Sequence, residues 1–236
     1  MSAQNSISED PEILQNNINH RISQAEKDID NYSYYQAQNK LDEALDLAIN
    51  GKNKKSAALI YTLKGKLQLI NEEQDKAIQS LTKAVKVQNE INDNLNLGKS
   101  YKVFGDIYTS KKDYYQALDS YTAAKSKFEE EGLDKELAEV LFCEGNTNMS
   151  LEDYAKARSL IEQAIALSKK ENYTKTLSKA LITHGKVYAK LGDNAKALAL
   201  AQEGLQIAST NNYVNIIDQG YLTLSTINQN IKNYKL

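Results

Sequence analysis

The chain has 236 residues, 41% of them apolar, and 29 Lys and Arg against 31 Asp and Glu for a formal net charge of −2. That is enough apolar material for a core, and the near balance of charge gives no reason to expect a nucleic acid or an anionic membrane as partner. One proline and ten glycines exclude most all-β folds, whose turns draw on both residues, and the lone Cys143 excludes an internal disulfide framework and a multi-cysteine metal site.

The expected fold class is all-α. No apolar run approaches the ~18 residues of a membrane span. The start, MSAQNSISED, has neither the basic region nor the apolar stretch of a secretory signal. Residues 1–10 are expected to be a disordered tail. Helix is expected from Asp10-Pro11, with Asp as N-cap and proline in the first turn, to about Asn31.

Beyond that point the sequence repeats itself at a shift of ~40 residues. Gly65, Gly105, Gly145 and Gly185 form one column, flanked by Ala25 and Ser225. Ala37, Ala77, Ala117, Ala157 and Ala197 form a second, and Ala44, Ala84, Ala124, Ala164 and Gly204 a third. The columns imply two helices joined by a tight turn, close enough at their crossing that only small residues fit.

A polar break recurs inside each unit, at Tyr32-Ser33-Tyr34, Glu72-Glu73-Gln74, Lys112-Asp113-Tyr114, Glu152-Asp153-Tyr154, Gly192-Asp193-Asn194 and Lys232-Asn233-Tyr234. Helix ends between units are expected at Asn50-Gly51, Asn92-Asp93, Gly132, Asn172 and Asn211-Asn212, where residues tolerating the left-handed conformation belong. The units are therefore 11–52, 53–93, 94–133, 134–173, 174–212 and a partial 213–236. The Ala197 column would next fall just beyond Leu236. The last unit then stops after its first helix, leaving Tyr221, Leu224 and Ile227 without a covering helix. This reads as a piece of a longer protein, with a terminal capping helix as the alternative.

Tyr101–Ala124 carries the pattern most completely, in Gly105, Tyr108, Asp113, Tyr114, Ala117, Tyr121 and Ala124. It resembles the tetratricopeptide repeat family, although the period is longer than that family's usual ~34 residues and its closing proline is missing. HEAT-type repeats share the period but match the Gly and Ala columns less well. The resemblance implies a right-handed superhelical solenoid of antiparallel helix pairs. It also implies a non-enzymatic scaffold presenting a concave groove to a protein or peptide. A further likeness is to the sensory portions of bacterial histidine kinases and transcription regulators. The compartment is then cytoplasmic, or periplasmic for an exported sensor.

No catalytic constellation, phosphate loop or cofactor motif is present. His20 and His184 lie in different units, with His184 on a packing face beside Gly185, and Cys143 reads as a small apolar residue next to the core stripe. The resemblance points instead to the first-helix face turned ~100° from the packing stripe. In the middle unit this face carries Lys99, Lys102, Asp106, Thr109 and Ser110. The unit before has Leu59, Thr62, Lys66, Leu69 and Ile70. The units after have Glu139, Phe142, Asn146, Met149 and Ser150, then Lys179, Ile182, Lys186, Ala189 and Lys190.

The expected ligand-binding residues are Lys66, Lys99, Lys102, Asp106, Asn146, Lys179, Lys186 and Lys190, with an acidic segment as partner and no metal or cofactor. Asp106 stands where a chaperone-type carboxylate clamp would want Asn or Lys, so chaperone binding is not expected. A homodimer through the C-terminal helix is a further possibility.

Overall fold

The computed structural model describes residues 10 to 233, and its described residues form eleven α-helices and no strand. These are α1 (Pro11–Asp30), α2 (Tyr34–Asn50), α3 (Lys54–Ile70), α4 (Gln74–Glu90), α5 (Asn94–Ser110), α6 (Tyr114–Glu130), α7 (Asp134–Ser150), α8 (Tyr154–Lys170), α9 (Thr174–Lys190), α10 (Asn194–Thr210) and α11 (Val214–Asn233). The tail before Asp10 lies outside the described residues. The chain divides into two compact units, Met1–Ile107 and Tyr108–Leu236, so the boundary falls within α5.

From α2 to α10 every helix has 17 residues, and one three-residue device joins each to the next. Its middle residue is left-handed: Tyr32, Lys52, Glu72, Asn92, Lys112, Gly132, Glu152, Asn172, Gly192 and Asn212 all have positive φ. The next amide reaches back across the turn, as Ser33 N–H does to Asp28 O at 2.7 Å and Asp193 N–H to Tyr188 O at 3.0 Å. This six-to-one bond satisfies carbonyls that the helix end leaves open. The period of 40 seen in side chains is therefore a backbone period of 20, because breaks within and between pairs are built alike.

The expected left-handed positions at Asn92, Gly132, Asn172 and Asn212 are observed, but at the first junction the conformation falls on Lys52 rather than Asn50-Gly51. Gly51 has φ −80. It is needed for space, since a Cβ there would run into the Leu14 side chain. Acidic and amide side chains start several helices. Asp10 accepts from Glu12 N–H at 2.9 Å, Asn53 from Ser56 N–H at 3.0 Å, and Asp153 and Asp193 from Lys156 and Lys196 N–H at 3.0 Å. The sixth expected break is not formed at Lys232-Asn233, through which α11 continues, while Tyr234 lies outside the described residues.

The small-residue columns act where the pattern placed them. A Cβ on Gly65 would sit 2.8 Å from Leu81 Cγ, on Gly145 2.7 Å from Ile161 Cγ1, and on Gly185 2.8 Å from the Ala197 carbonyl oxygen. Ala37, Ala44, Ala77, Ala84, Ala157, Ala164 and Ala197 are fully buried. Removing these surfaces from water, at roughly 25 cal/mol per Å², holds each helix to its pair partner and to the next pair.

Within unit 2, α7 touches α9 and α9 touches α11, whereas α6, α8 and α10 do not touch one another. The first helices of successive pairs thus line the inside of the curve there.

On α11 the expected uncovered face is only partly uncovered. Ile227 is buried and Leu224 half-buried against Tyr188, Ala197 and Ala201, while Tyr221 and Ser225 are exposed. Ile227 and Leu224 point back toward α9 and α10, the neighbours already in place.

Candidate ligand groove

In unit 1, Lys66 is exposed and Lys99 half-buried. Lys102 donates to Asp106 Oδ2 at 3.1 Å, one helical turn away, so those two charges offset each other. Thr62, expected on the open face, is instead buried. Its hydroxyl lies 2.8 Å from that of Ser100, and Gln88 Nε2 donates to it at 3.0 Å while Ser100 donates to Gln88 Oε1 at 2.9 Å. The three side chains close a ring of hydrogen bonds linking α3, α4 and α5. Gln88 occupies the column filled by Ala48, Phe128, Ser168 and Ala208, all fully buried or nearly so. One polar residue in an otherwise small or apolar column was the signal for this ring.

In unit 2 the inner side of α7, α9 and α11 encloses a cavity of about 440 Å³. Met149, Ser150, Lys186, Ala189 and Lys190 line it, as the sequence face anticipated, and Glu152 and Tyr154 lie at its edge. The wall from α11, made by Leu222, Thr223, Thr226, Ile227 and Asn230, had not been assigned to the face. Asn146 and Lys179 are half-buried on the same helices and do not line this cavity. Ile182 is buried against Ala208 and Ile216 rather than open to the groove.

Lys186 is half-buried, and burial pushes its ammonium below the usual lysine range. It has no hydrogen bond or ion pair among the described residues. One turn earlier stands buried Ile182, and one turn later exposed Lys190. Three of the four hydroxyls of the wall donate within their own helices: Ser150 to Asn146 O at 3.2 Å, Thr223 to Gln219 O at 2.7 Å, and Thr226 to Leu222 O at 3.0 Å.

A second polar cluster was not anticipated beyond His184 itself. His184 is 4% exposed and its Nε2 lies 3.4 Å from Glu162 Oε1, yet neither ring nitrogen has a hydrogen bond. Burial lowers its pKa, with Glu162 acting in the opposite direction. Its ring stands 4.8 Å from that of Tyr188, whose hydroxyl receives a 2.6 Å bond from Lys196. Cys143 is half-buried. Among the described residues no group of three or more His, Cys, Asp or Glu could hold a metal ion, and no helix is long and apolar enough to cross a membrane.

Uniform helix pairs, crossing glycines and a ligand-sized hollow on the first helices define a tetratricopeptide-like solenoid, an architecture used for protein interaction. The family model described as anaphase-promoting complex subunit 5 matches residues 23–104, 103–184 and 141–226. The chain belongs to this family. A comparison with curated proteins returned no significant match.

Solved structures share the fold at low identity. BtubC (BKLC) from P. vanneervenii is 22% identical with a TM-score of 0.72, over 86% of this chain and 84% of that one. A Rap protein complexed with competence and sporulation factor is 12% identical with a TM-score of 0.74, over 89% and 64%. The signal transduction ATPase with numerous domains from Pyrococcus horikoshii, which has a tetratricopeptide repeat sensor, is 19% identical with a TM-score of 0.73, over 89% and 33%. This chain thus spans a third of that ATPase and under two thirds of the Rap protein.

Proposed function

We propose that the chain is a non-enzymatic scaffold whose first-helix groove recognises a protein or peptide partner carrying acidic side chains. The observation that carries this reading is the lysine-bearing inner side of α9, where Lys179, Lys186 and Lys190 share one helical face. Lys66 and Lys99 extend the proposal to unit 1, with the Lys102–Asp106 pair as a rim element, and Asn146 supplies an amide on α7. Lysines at such a rim act as point charges, raising the association rate for an acidic partner and weakening with salt. The uncovered Tyr221 and Leu222, 61% and 68% exposed, are the corresponding proposal for contact with a second copy.

The test is capture of partners from the native proteome on the full chain, followed by titration of the purified partner. Lys179→Glu with Lys190→Glu is expected to weaken binding about tenfold or more and to flatten its salt dependence. Unchanged affinity and salt slope in that double variant would remove the groove assignment.

A second reading is a sensory or regulatory array feeding an output domain. It is favoured by the likeness to the ATPase with a tetratricopeptide repeat sensor and to the Rap protein complexed with competence and sporulation factor. Its test is the natural gene read past Leu236: a kinase, ATPase or DNA-binding domain in the same frame supports it, and a stop codon after a capping helix counts against it.

A further inference from the structure

The α7–α9–α11 cavity has a composition that a partner surface alone does not explain. Its volume of about 440 Å³ lies within the ~300–1,000 Å³ range of sites that take small organic ligands. Its walls are apolar where Met149, Ala189, Leu222 and Ile227 meet, and cationic where Lys186 enters.

We propose that this cavity binds a small carboxylic acid with an apolar body, the carboxylate on Lys186 Nζ and the hydrocarbon against Met149, Ala189, Leu222 and Ile227. Three observations converge on that chemistry. First, Lys186 is partly withdrawn from water with no counter-charge among the described residues, so an entering carboxylate restores what burial removed. The comparable position two periods back, in unit 1, shows the alternative, since an ion at Asp106 is there neutralised by Lys102 one turn before it. At Lys186 that turn holds Ile182.

Second, the polar end of the ligand is an acceptor, because the charged groups of the lining are two ammonium groups, Lys186 and Lys190, against one carboxylate, Glu152. The neutral side-chain donors left in the wall are the Tyr154 hydroxyl and the Asn230 amide. Third, the apolar walls favour hydrocarbon over water, which disfavours a bare inorganic anion. Glu152, exposed, is the acidic residue of the lining, and it forms no ion pair with Lys186. This ligand is separate from the protein partner proposed above, and its test uses neither that partner nor the Lys179 and Lys190 variants.

The chain has two methionines, of which Met149 alone lies in the described structure, so a methyl-labelled methionine sample gives one reporter inside the cavity. The full chain is titrated with sodium octanoate, 1-octanol and sodium acetate, reading the Met149 methyl resonance and the heat of binding. Octanoate is expected to shift Met149 saturably at one site, with octanol and acetate each at least about tenfold weaker. Lys186→Met should lose about tenfold or more in octanoate affinity with an unchanged circular dichroism spectrum.

Leu222→Asp, at an exposed position, provides the second variant: it brings a like charge to the apolar end and should also weaken octanoate. No Met149 shift up to ~10 mM octanoate, octanol as tight as octanoate, or full affinity in both variants would overturn the proposal. An acidic peptide that moves Met149 where octanoate does not would likewise overturn it and assign the cavity to a protein segment.

Discussion

The two units differ in how some of their buried polar groups are satisfied. In unit 1, Thr62, Gln88 and Ser100 are all buried and all satisfied by one another. In unit 2, Ser168 Oγ, Glu144 Oε2 and both ring nitrogens of His184 are buried without a hydrogen bond among the described residues, although Lys125 lies 3.7 Å from the Glu144 carboxylate. A closed ring of neutral groups recovers the cost of desolvation and fixes the register of three helices. Unpaired groups recover little of that cost. The half-buried Lys186 and the ligand-sized cavity lie in the same unit as these groups. The contrast makes a closed polar ring the feature of unit 1 and isolated buried polar atoms a feature of unit 2.

The sharpest way to break this contrast is within one column. Gln88→Ala should destabilise the chain by about 2–4 kcal/mol, since it opens a cavity and removes two hydrogen bonds from the ring. Ser168→Ala, at the same repeat position in unit 2, should leave stability unchanged or raise it by up to about 1 kcal/mol by deleting an unsatisfied hydroxyl. Urea unfolding of both variants checks the pair, and equal losses would erase the distinction.

Next in size are the crossing glycines. A methyl on Gly185 meets the Ala197 backbone carbonyl, whereas on Gly65 it meets the Leu81 side chain. Backbone cannot step aside as a side chain can. Gly185→Ala should therefore cost about 1–3 kcal/mol despite the better helix propensity of alanine, and Gly65→Ala less. Thermal unfolding of the two variants measures the difference.

The left-handed turn residues also differ between units. None of the four in unit 1 is glycine, while unit 2 has Gly132 and Gly192. Glu72→Gly should stabilise by about 0.5–1 kcal/mol because its φ of 61° strains a side chain, and Gly132→Ala should lose about 1 kcal/mol. The same unfolding measurements decide whether unit 1 has this reserve.

The smallest expected effect is a pH slope. Burial holds the His184 pKa below its ordinary 6.5, against the pull of Glu162 and with Lys196 and Arg158 adding to the lowering. Between the folded value and 6.5 the unfolded chain binds a proton that the folded chain does not. The stability from burying the neutral ring is thus complete above pH 6.5 and is lost as pH falls through the folded value. His184→Phe should flatten that part of the stability profile. A profile identical to the parent's would show that His184 is not the group responsible.

The repeat was legible in sequence because a tight helix crossing admits so few residues. Gly65, Gly145 and Gly185 each stand where a Cβ would meet the second helix at under 3 Å, so their spacing is a direct record of packing. Asp10 announced a helix start for an equally local reason, the open amides of a first turn, and Asp153 and Asp193, read from sequence only as parts of polar breaks, cap their helices in the same way. The break expected at Lys232-Asn233 failed because a polar tripeptide permits a turn without requiring one, and α11 continued.

For the groove, helical geometry placed Met149, Ser150, Lys186, Ala189 and Lys190 on one face, but periodicity within a helix cannot say which neighbours close over it. Thr62 and Ile182 fell on the same expected face and proved buried.

What the sequence by itself determined, then, was the helix pair, its period and the all-α class, since these depend on steric exclusions between residues at fixed spacing. The tertiary structure alone decided where that face opens and where it is covered. It brought Leu222 and Thr226 of α11 opposite Met149 of α7 and left Lys186 half-buried between them. The physical reason is that a cavity is a property of the gap between three helices, and no one helix's sequence specifies the gap.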